Sequence, residues 1–554
     1  MRPSVVRLVG LAAVLAAVSA VFALGVADCH LSGDDWGYTL GCPFVRGGVS
    51  FANVVAALTD FCHCAIWMPV TYFTYMVDVS LGGGWTIHHV TNVVLHGVAT
   101  VVVFAFLRML ARRFVPLEER ASIVICLAGA LLWALHPMRA EVVSYVSSRK
   151  EALWTLFALL GLMEWMRFCE KGGGRRFALV MSCFVLACLS KPTAVCFPLL
   201  AYALKAALDR KLFCRAWSVL PMLAVSLAVG LVTIHSQAHP TGMASADVFV
   251  SGFGWRLLNA GVSLGLYVWH TLVPGTIHVD YRAVFDGWPV DGGLGLGVLA
   301  VCLLATVAGL FYLKDRSTRV LLALAALWFL IGLSPTLGVF GYVNGDQAYA
   351  DRYAYLPNVA FSILLLPLLA AVGRMKGGRV AALVAVLALV AGEIVVDVPV
   401  IRSFRSDYTA FARTLERDPD HWRALRVVGN EYCARLGRMD EGVRMLRKSL
   451  RLRGSQRTAD ALAYILALRG APGDFEEVRR LGKAFAANPK LDREGMMLDA
   501  LGIVSLQTGD AAAAVRYFQL SLRAPHRQHA TRHTQLNLER ALSPVRQVVR
   551  TPSD

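Results

Sequence analysis

The feature that most restricts how this chain folds is the recurrence of apolar runs long enough to cross a bilayer. A helix rising 1.5 Å per residue needs roughly 20 apolar residues to span about 30 Å of hydrocarbon. Runs of that order lie at 8–27, 86–107, 151–166, 193–208, 217–235, 293–313, 320–337, 357–373 and 379–397. Two shorter runs, 121–135 and 177–190, read as helices that continue past the hydrocarbon at one end. With 56% hydrophobic residues, 17% charged residues and a mean hydropathy of +0.54, the composition excludes a soluble globular domain for most of the length.

Basic residues between the runs set an orientation. Arg108, Arg112 and Arg113; Arg167, Lys171, Arg175 and Arg176; Lys205, Arg210, Lys211 and Arg215; Lys314, Arg316 and Arg319; and Arg374, Lys376 and Arg379 all fall in alternate loops, which are therefore expected to be cytoplasmic. The run at 257–273 breaks the parity and is laid in the outer interface. The expectation is then about eleven spans, the N-terminus inside, the loop at 28–85 outside and the C-terminus outside. The first run is read as an anchor, not a cleaved leader. The net charge of +17 is spread between apolar runs without forming one stripe, which argues against a nucleic-acid partner.

After Val398 the apolar runs stop. A spacing near 34 residues appears in Leu425, Gly429, Tyr432, Gly437 and Gly442 and again in Leu498, Gly502, Gly509, Ala514 and Phe518, the spacing of tetratricopeptide helix pairs. The stretch between them, around Ala463, Phe475 and Pro489, reads as a degenerate repeat. Residues 1–400 are thus read as a membrane domain, and 401–554 as an external α-solenoid carrying 27 Lys and Arg against 17 Asp and Glu. Gly442 and Ser505 stand where such repeats usually place larger or better helix-forming residues, so loose packing is expected.

Three polar clusters carry the candidate chemistry. Asp34 and Asp35 follow the first run directly, and two carboxylates held close repel each other, which tends to leave one as a usable base or acid; a solvated turn is the plain alternative. Arg139 and Glu141, then Arg149, Lys150 and Glu151, lie in the loop between the third and fourth spans, and Lys191 lies in Ser190-Lys191-Pro192. These cations sit in loops that otherwise avoid positive charge, which points to a phosphate at the bilayer surface, with ion pairs to Glu141 and Glu151 as the alternative. The third cluster, Gln347 to Tyr353, offers Asp351, Arg352 and Tyr353 for a sugar or its phosphate, or simply an interfacial aromatic belt.

His89, Asn92 and His96 share one face of the second span, where hydrogen bonds between helices are expected in preference to a metal. Cys29, Cys42, Cys62 and Cys64 share the first external loop, where disulfides persist, and sequence does not choose among their three pairings.

The ordered set Asp34-Asp35, Trp67-Met-Pro69, Asp78, His89 to His96, His136-Pro-Met-Arg139-Ala-Glu141, Arg149-Lys150, Ser190-Lys191-Pro192 and Ala350-Asp351-Arg352-Tyr353, followed by helical repeats, resembles the bacterial relatives of the transmembrane and tetratricopeptide-containing protein O-mannosyltransferases. The resemblance implies an all-α polytopic bundle of the GT-C glycosyltransferase type in a bacterial inner membrane. It also implies inverting transfer of a sugar, expected to be mannose, from a polyprenyl-phosphate donor to a hydroxyl of an external protein acceptor, with Asp34 or Asp35 as the essential acid/base. The donor phosphate and sugar would be held by Arg139, Glu141, Arg149, Lys150, Lys191, Asp351, Arg352 and Tyr353. No cofactor and no metal are expected, because a single phosphate leaving group needs less charge compensation than a diphosphate. The repeats would bind the peptide. Transfer to a lipid or envelope glycan, and a non-catalytic membrane-anchored scaffold, are the competing readings.

Overall fold

A computed structural model of the 554-residue chain describes residues 2–26, 33–82, 84–210, 217–239, 252–284, 288–339, 349–434, 436–486, 495–523 and 531–548. Cys29, Lys211, Arg215, Gln347 and Pro489 lie outside the described residues. Every regular element among the described residues is helical. The chain forms two compact units, Met1–Ala410 and Phe411–Asp554.

Among the described residues of the first unit, seven helices are long and apolar enough to cross a membrane: Pro3–Ala23, Trp85–Phe114, Val146–Lys171, Trp217–Ala238, Gly292–Tyr312, Arg316–Thr336 and Gly378–Ser403. Glu119–Ala134 and Pro137–Ser144, bent by 58° where they meet, make an eighth if taken as one. The runs at 177–190, 193–208 and 357–373 fall on shorter helices, Gly174–Ser190, Phe197–Asp209 and Val359–Gly373. The shortening at Phe197 has a local cause. Pro192 opens a 3-10 turn, Pro192–Cys196, which uses up the start of the apolar run.

The outward faces of these helices are apolar. Gly292–Tyr312 buries only Gly292 and Gly295 and leaves Leu304 and Phe311 71% and 79% exposed. A water-facing helix would present charge there; a lipid-facing one need not, and the chain is an integral membrane protein. Inside, the indole N–H groups of Trp133, Trp165 and Trp328 donate to the carbonyls of Tyr355, Ala201 and Leu356, so these large rings are buried without leaving a donor unpaired.

The second unit has its own core, built on Val443, Leu446, Leu462, Leu466, Val504 and Phe518. It is laid down by consecutive helix pairs: Trp422–Ala434 with Met439–Leu452, Gln456–Arg469 with Asp474–Ala486, and Met496–Gln507 with Ala511–Leu522. The expected loose packing at Gly442 is overturned. A Cβ there would overlap Cys433 Sγ and stand 2.6 Å from the Gly429 carbonyl oxygen, so the glycine is what lets its two helices touch. Gly442→Ala should therefore lower the unfolding transition of this unit by about 1–3 kcal/mol. Gly454→Ala, with open space around it, should stay within roughly 0.5 kcal/mol of wild type. Thermal unfolding of the two variants side by side checks the contrast.

Candidate active site

The first loop folds on a small core of its own, with Tyr38, Cys42, Phe44, Val45, Met68, Tyr72 and Tyr75 closing against Val146. Tyr75 donates to the Val146 carbonyl at 2.8 Å and Thr71 to the Ser190 carbonyl at 2.8 Å, which fixes the loop to the start of the turn Val146–Ser148 and to the end of the helix Gly174–Ser190. Gly33, with φ at +48°, makes the turn into Asp34; its left-handed backbone and the Tyr145 hydroxyl packed against it both exclude a side chain. The next two residues then part company. Asp35 is fully buried, its Oδ1 accepting from the Ser147 backbone N–H at 2.6 Å, while Asp34 is exposed and its own N–H donates to Tyr145 Oη.

Beside Asp34 the structure gathers three buried cations. The charges of Arg352, Asp34, Lys191 and Glu151 all act on Lys150, and that of Asp34 acts on Arg352. Lys191 pairs with Glu151, whose other oxygen takes the Trp154 indole N–H at 2.8 Å. Arg352 pairs with Glu141 through both its side chain and its backbone N–H. Burial works against the Arg352 charge and Glu141 overrides it, holding the pKa well above the ordinary arginine value. The Tyr353 ring meets both Lys191 and Arg352, 4.7 Å from Nζ and 4.9 Å from Cζ.

Lys150 differs from its neighbours. Its ammonium lies 4.4 Å from the Tyr38 ring centroid and makes no hydrogen bond or ion pair among the described residues. Burial, with Cys64 and Asp34 adding to it, raises the Tyr38 phenol well above its ordinary pKa, so the ring stays neutral under the cation.

Arg149, the neighbour of Lys150, is committed elsewhere. Its Nε donates to Asn92 Oδ1 at 2.7 Å, Nη1 to Thr74 Oγ1 at 3.2 Å, and Nη2 to Asp78 Oδ2 at 2.6 Å and the His88 carbonyl at 2.9 Å. Asp78 also accepts from Thr91 and meets His88 Nδ1 at 2.7 Å. Asp351 is likewise occupied, by the hydroxyls of Tyr281 and Tyr349 at 2.8 and 2.9 Å. Arg139 lies over the rings of Trp133 and Tyr355 and reaches the Ala354 carbonyl at 3.3 Å.

On the second span His89, Asn92 and His96 are all buried. Asn92 holds Arg149 and the carbonyls of Val143 and Tyr145, and His96 meets Tyr355 Oη at 2.6 Å and the Ala134 carbonyl at 3.0 Å. No group of three or more His, Cys, Asp or Glu arranged to hold a metal occurs among the described residues.

Of the residues singled out from sequence, Asp34, Asp35, Glu141, Lys150, Glu151, Lys191, Arg352 and Tyr353 come together, whereas Arg139, Arg149 and Asp351 brace the surrounding frame. Sequence reasoning gave no role to Tyr38, Tyr145 and Tyr281, and named Asp78 only within the ordered set of motifs. Asp78 carried a signal, a lone carboxylate amid apolar and aromatic residues; Tyr281 carried none. Arg149→Ala would leave Asp78 buried without its cation and should cost about 3–5 kcal/mol. Lys150→Ala removes an unpaired buried charge and should leave the unfolding temperature unchanged or higher, a difference in sign that thermal unfolding in detergent reads directly.

No family model matches the sequence. The chain is 24% identical over 315 residues to a protein O-mannosyl-transferase of Caenorhabditis elegans, covering 54% of this chain and 41% of the relative. To a protein O-mannosyl-transferase of Mus musculus it is 23% identical over 353 residues, 54% of this chain and 46% of the relative. A third, of Drosophila melanogaster, is 31% identical over 166 residues, 28% of this chain and 16% of the relative. The chain thus spans less than half the length of these curated proteins. It is a relative of the transmembrane and tetratricopeptide-containing protein O-mannosyltransferases.

Proposed function

We propose that the chain transfers a mannosyl group from a polyprenyl-phosphate donor to a hydroxyl of a protein acceptor, with inversion. The observation that carries this reading is one exposed carboxylate, Asp34, beside three buried cations of which one, Lys150, has its donors free among the described residues. The names of the relatives support the sugar and the acceptor class. In the proposed step the acceptor oxygen attacks the anomeric carbon and its proton passes to Asp34. The bond from that carbon to the phosphate oxygen breaks, and its electron pair stays on the lipid phosphate. Lys150 binds the oxygen on which charge develops, with Arg352 and Lys191 supplying a fixed positive field. Asp35 anchors the turn to the Ser147 N–H. These cations do the work that a divalent ion would do for a diphosphate, so no metal is part of the proposal.

The proposed setting is a bacterial inner membrane, with about eleven crossings, the N-terminus cytoplasmic, and Asp34 and the second unit outside. The helix pairs of that unit are proposed to act as tetratricopeptide-like repeats that hold the polypeptide acceptor.

The test supplies membranes containing the chain with radiolabelled polyprenyl-phosphate mannose and a mixed peptide pool. Wild type should label peptide, and Asp34→Asn should lower the rate at least about 100-fold with the protein still folded. Lys150→Ala should cost roughly 100-fold in kcat/KM. Wild-type rates in Asp34→Asn would remove the base from the mechanism, and label confined to lipid or glycan would replace the acceptor.

A further inference from the structure

The helix Gly378–Ser403 carries two carboxylates that the proposed mechanism does not use. Between Arg379 and Arg402 its only charged residues are Glu393 and Asp397, one turn apart and therefore on one face. Acidic groups at this depth are costly and are kept where they have a partner. Asp397 is fully buried and, among the described residues, both its oxygens lack a hydrogen-bond partner, as does Oε2 of Glu393.

A matching deficit lies on the elements this helix packs against. Arg139 is fully buried, and its Nε and Nη2 have no partner among the described residues. The helix Gly378–Ser403 packs against the turn Pro137–Arg139 and the helix Ala140–Ser144, and the charges of Glu393 and Asp397 act on Arg139. Unpaired donors and unpaired acceptors on packed elements are the pattern that bound water satisfies in protein interiors.

The third guanidinium nitrogen gives this pairing a consequence. Arg139 Nη1 holds the Ala354 carbonyl at 3.3 Å, in the turn Asp351–Ala354 that carries Arg352. Two residues after Arg139, Glu141 pairs with Arg352. The loops bearing Glu141 and Arg352 are thus clasped twice, once by Glu141 and once by Arg139.

We infer that Asp397, with Glu393 one turn before it, is the counter-charge that holds Arg139 and so sets the clasp positioning Arg352 for the donor phosphate. Asp397 is a positioning residue, and its effect on transfer rests on the transferase reading above. Its pairing with Arg139 does not.

The experiment is a double-mutant cycle on the full chain in detergent, with Arg139→Leu, Asp397→Leu and the double variant, read by unfolding temperature. Each single variant leaves one buried charge unbalanced and should fall below wild type, and the double variant should recover most of the loss. A double variant no more stable than the singles overturns the pairing. In the transfer assay Asp397→Asn should lower kcat/KM for the donor by roughly 10- to 100-fold while KM for the peptide holds, and Asp397→Glu should restore most of it. Wild-type donor kinetics in Asp397→Asn overturn the positioning role. Absence of transfer by wild type with any polyprenyl-phosphate sugar sinks the transferase reading, and the cycle, which needs no substrate, still decides the pairing.

Discussion

Arg149 sits at the start of a membrane helix with no access to water, and a guanidinium there persists only if its donors are met. All three of its nitrogens are engaged, by Asp78, Asn92, Thr74 and the His88 carbonyl. Those partners come from the first loop and the second long helix, so a single charge binds three stretches of chain that lie far apart in sequence. The placement of Lys150 follows, because it is the next residue on the same helix. The position of Asp35 follows too, since its partner is the Ser147 N–H just before that helix begins.

The site divides into charges that are balanced and one that is not. Lys191 and Arg352 each have a carboxylate, and Tyr353 meets both. Among the described residues Lys150 has an aromatic face and no direct anion. In a low-dielectric setting that difference matters more than the count of cations, because paired groups shape a field whereas an unpaired ammonium has donors to offer.

Much of this was legible in the sequence, and the rest was hidden for definable reasons. Apolar runs predicted the long helices, since lipid demands internally bonded backbone and a minimum length. Cations in loops that avoid them pointed to Lys150 and Lys191, though equally to Arg139 and Arg149, and Arg352 stood out in the cluster Gln347 to Tyr353. Sequence did not separate Arg149 from Lys150, because neighbours on a helix point about 100° apart and only the packing decides which one meets Asp78. It did not separate Asp34 from Asp35 for the same reason. Gly442 was misread as a weakness because a glycine in a helix lowers propensity, and the close approach it permits to Cys433 depends on a partner helix. The carboxylates of Glu393 and Asp397 were visible in an otherwise apolar run, yet nothing linear connects them to Arg139.

The burial of the three cations also governs how the site responds to its surroundings. Lys191, Lys150 and Arg352 are only 3%, 6% and 9% exposed. Mobile ions damp the attraction between exposed charges over a Debye length of about 8 Å at physiological ionic strength, but they do not enter a packed interior. A polybasic surface loses its hold on an anionic head group as salt rises. Cations buried beside Tyr38 and Tyr353 keep theirs, so in the proposed reaction the pull on the donor phosphate is set by the protein and hardly by the medium outside it.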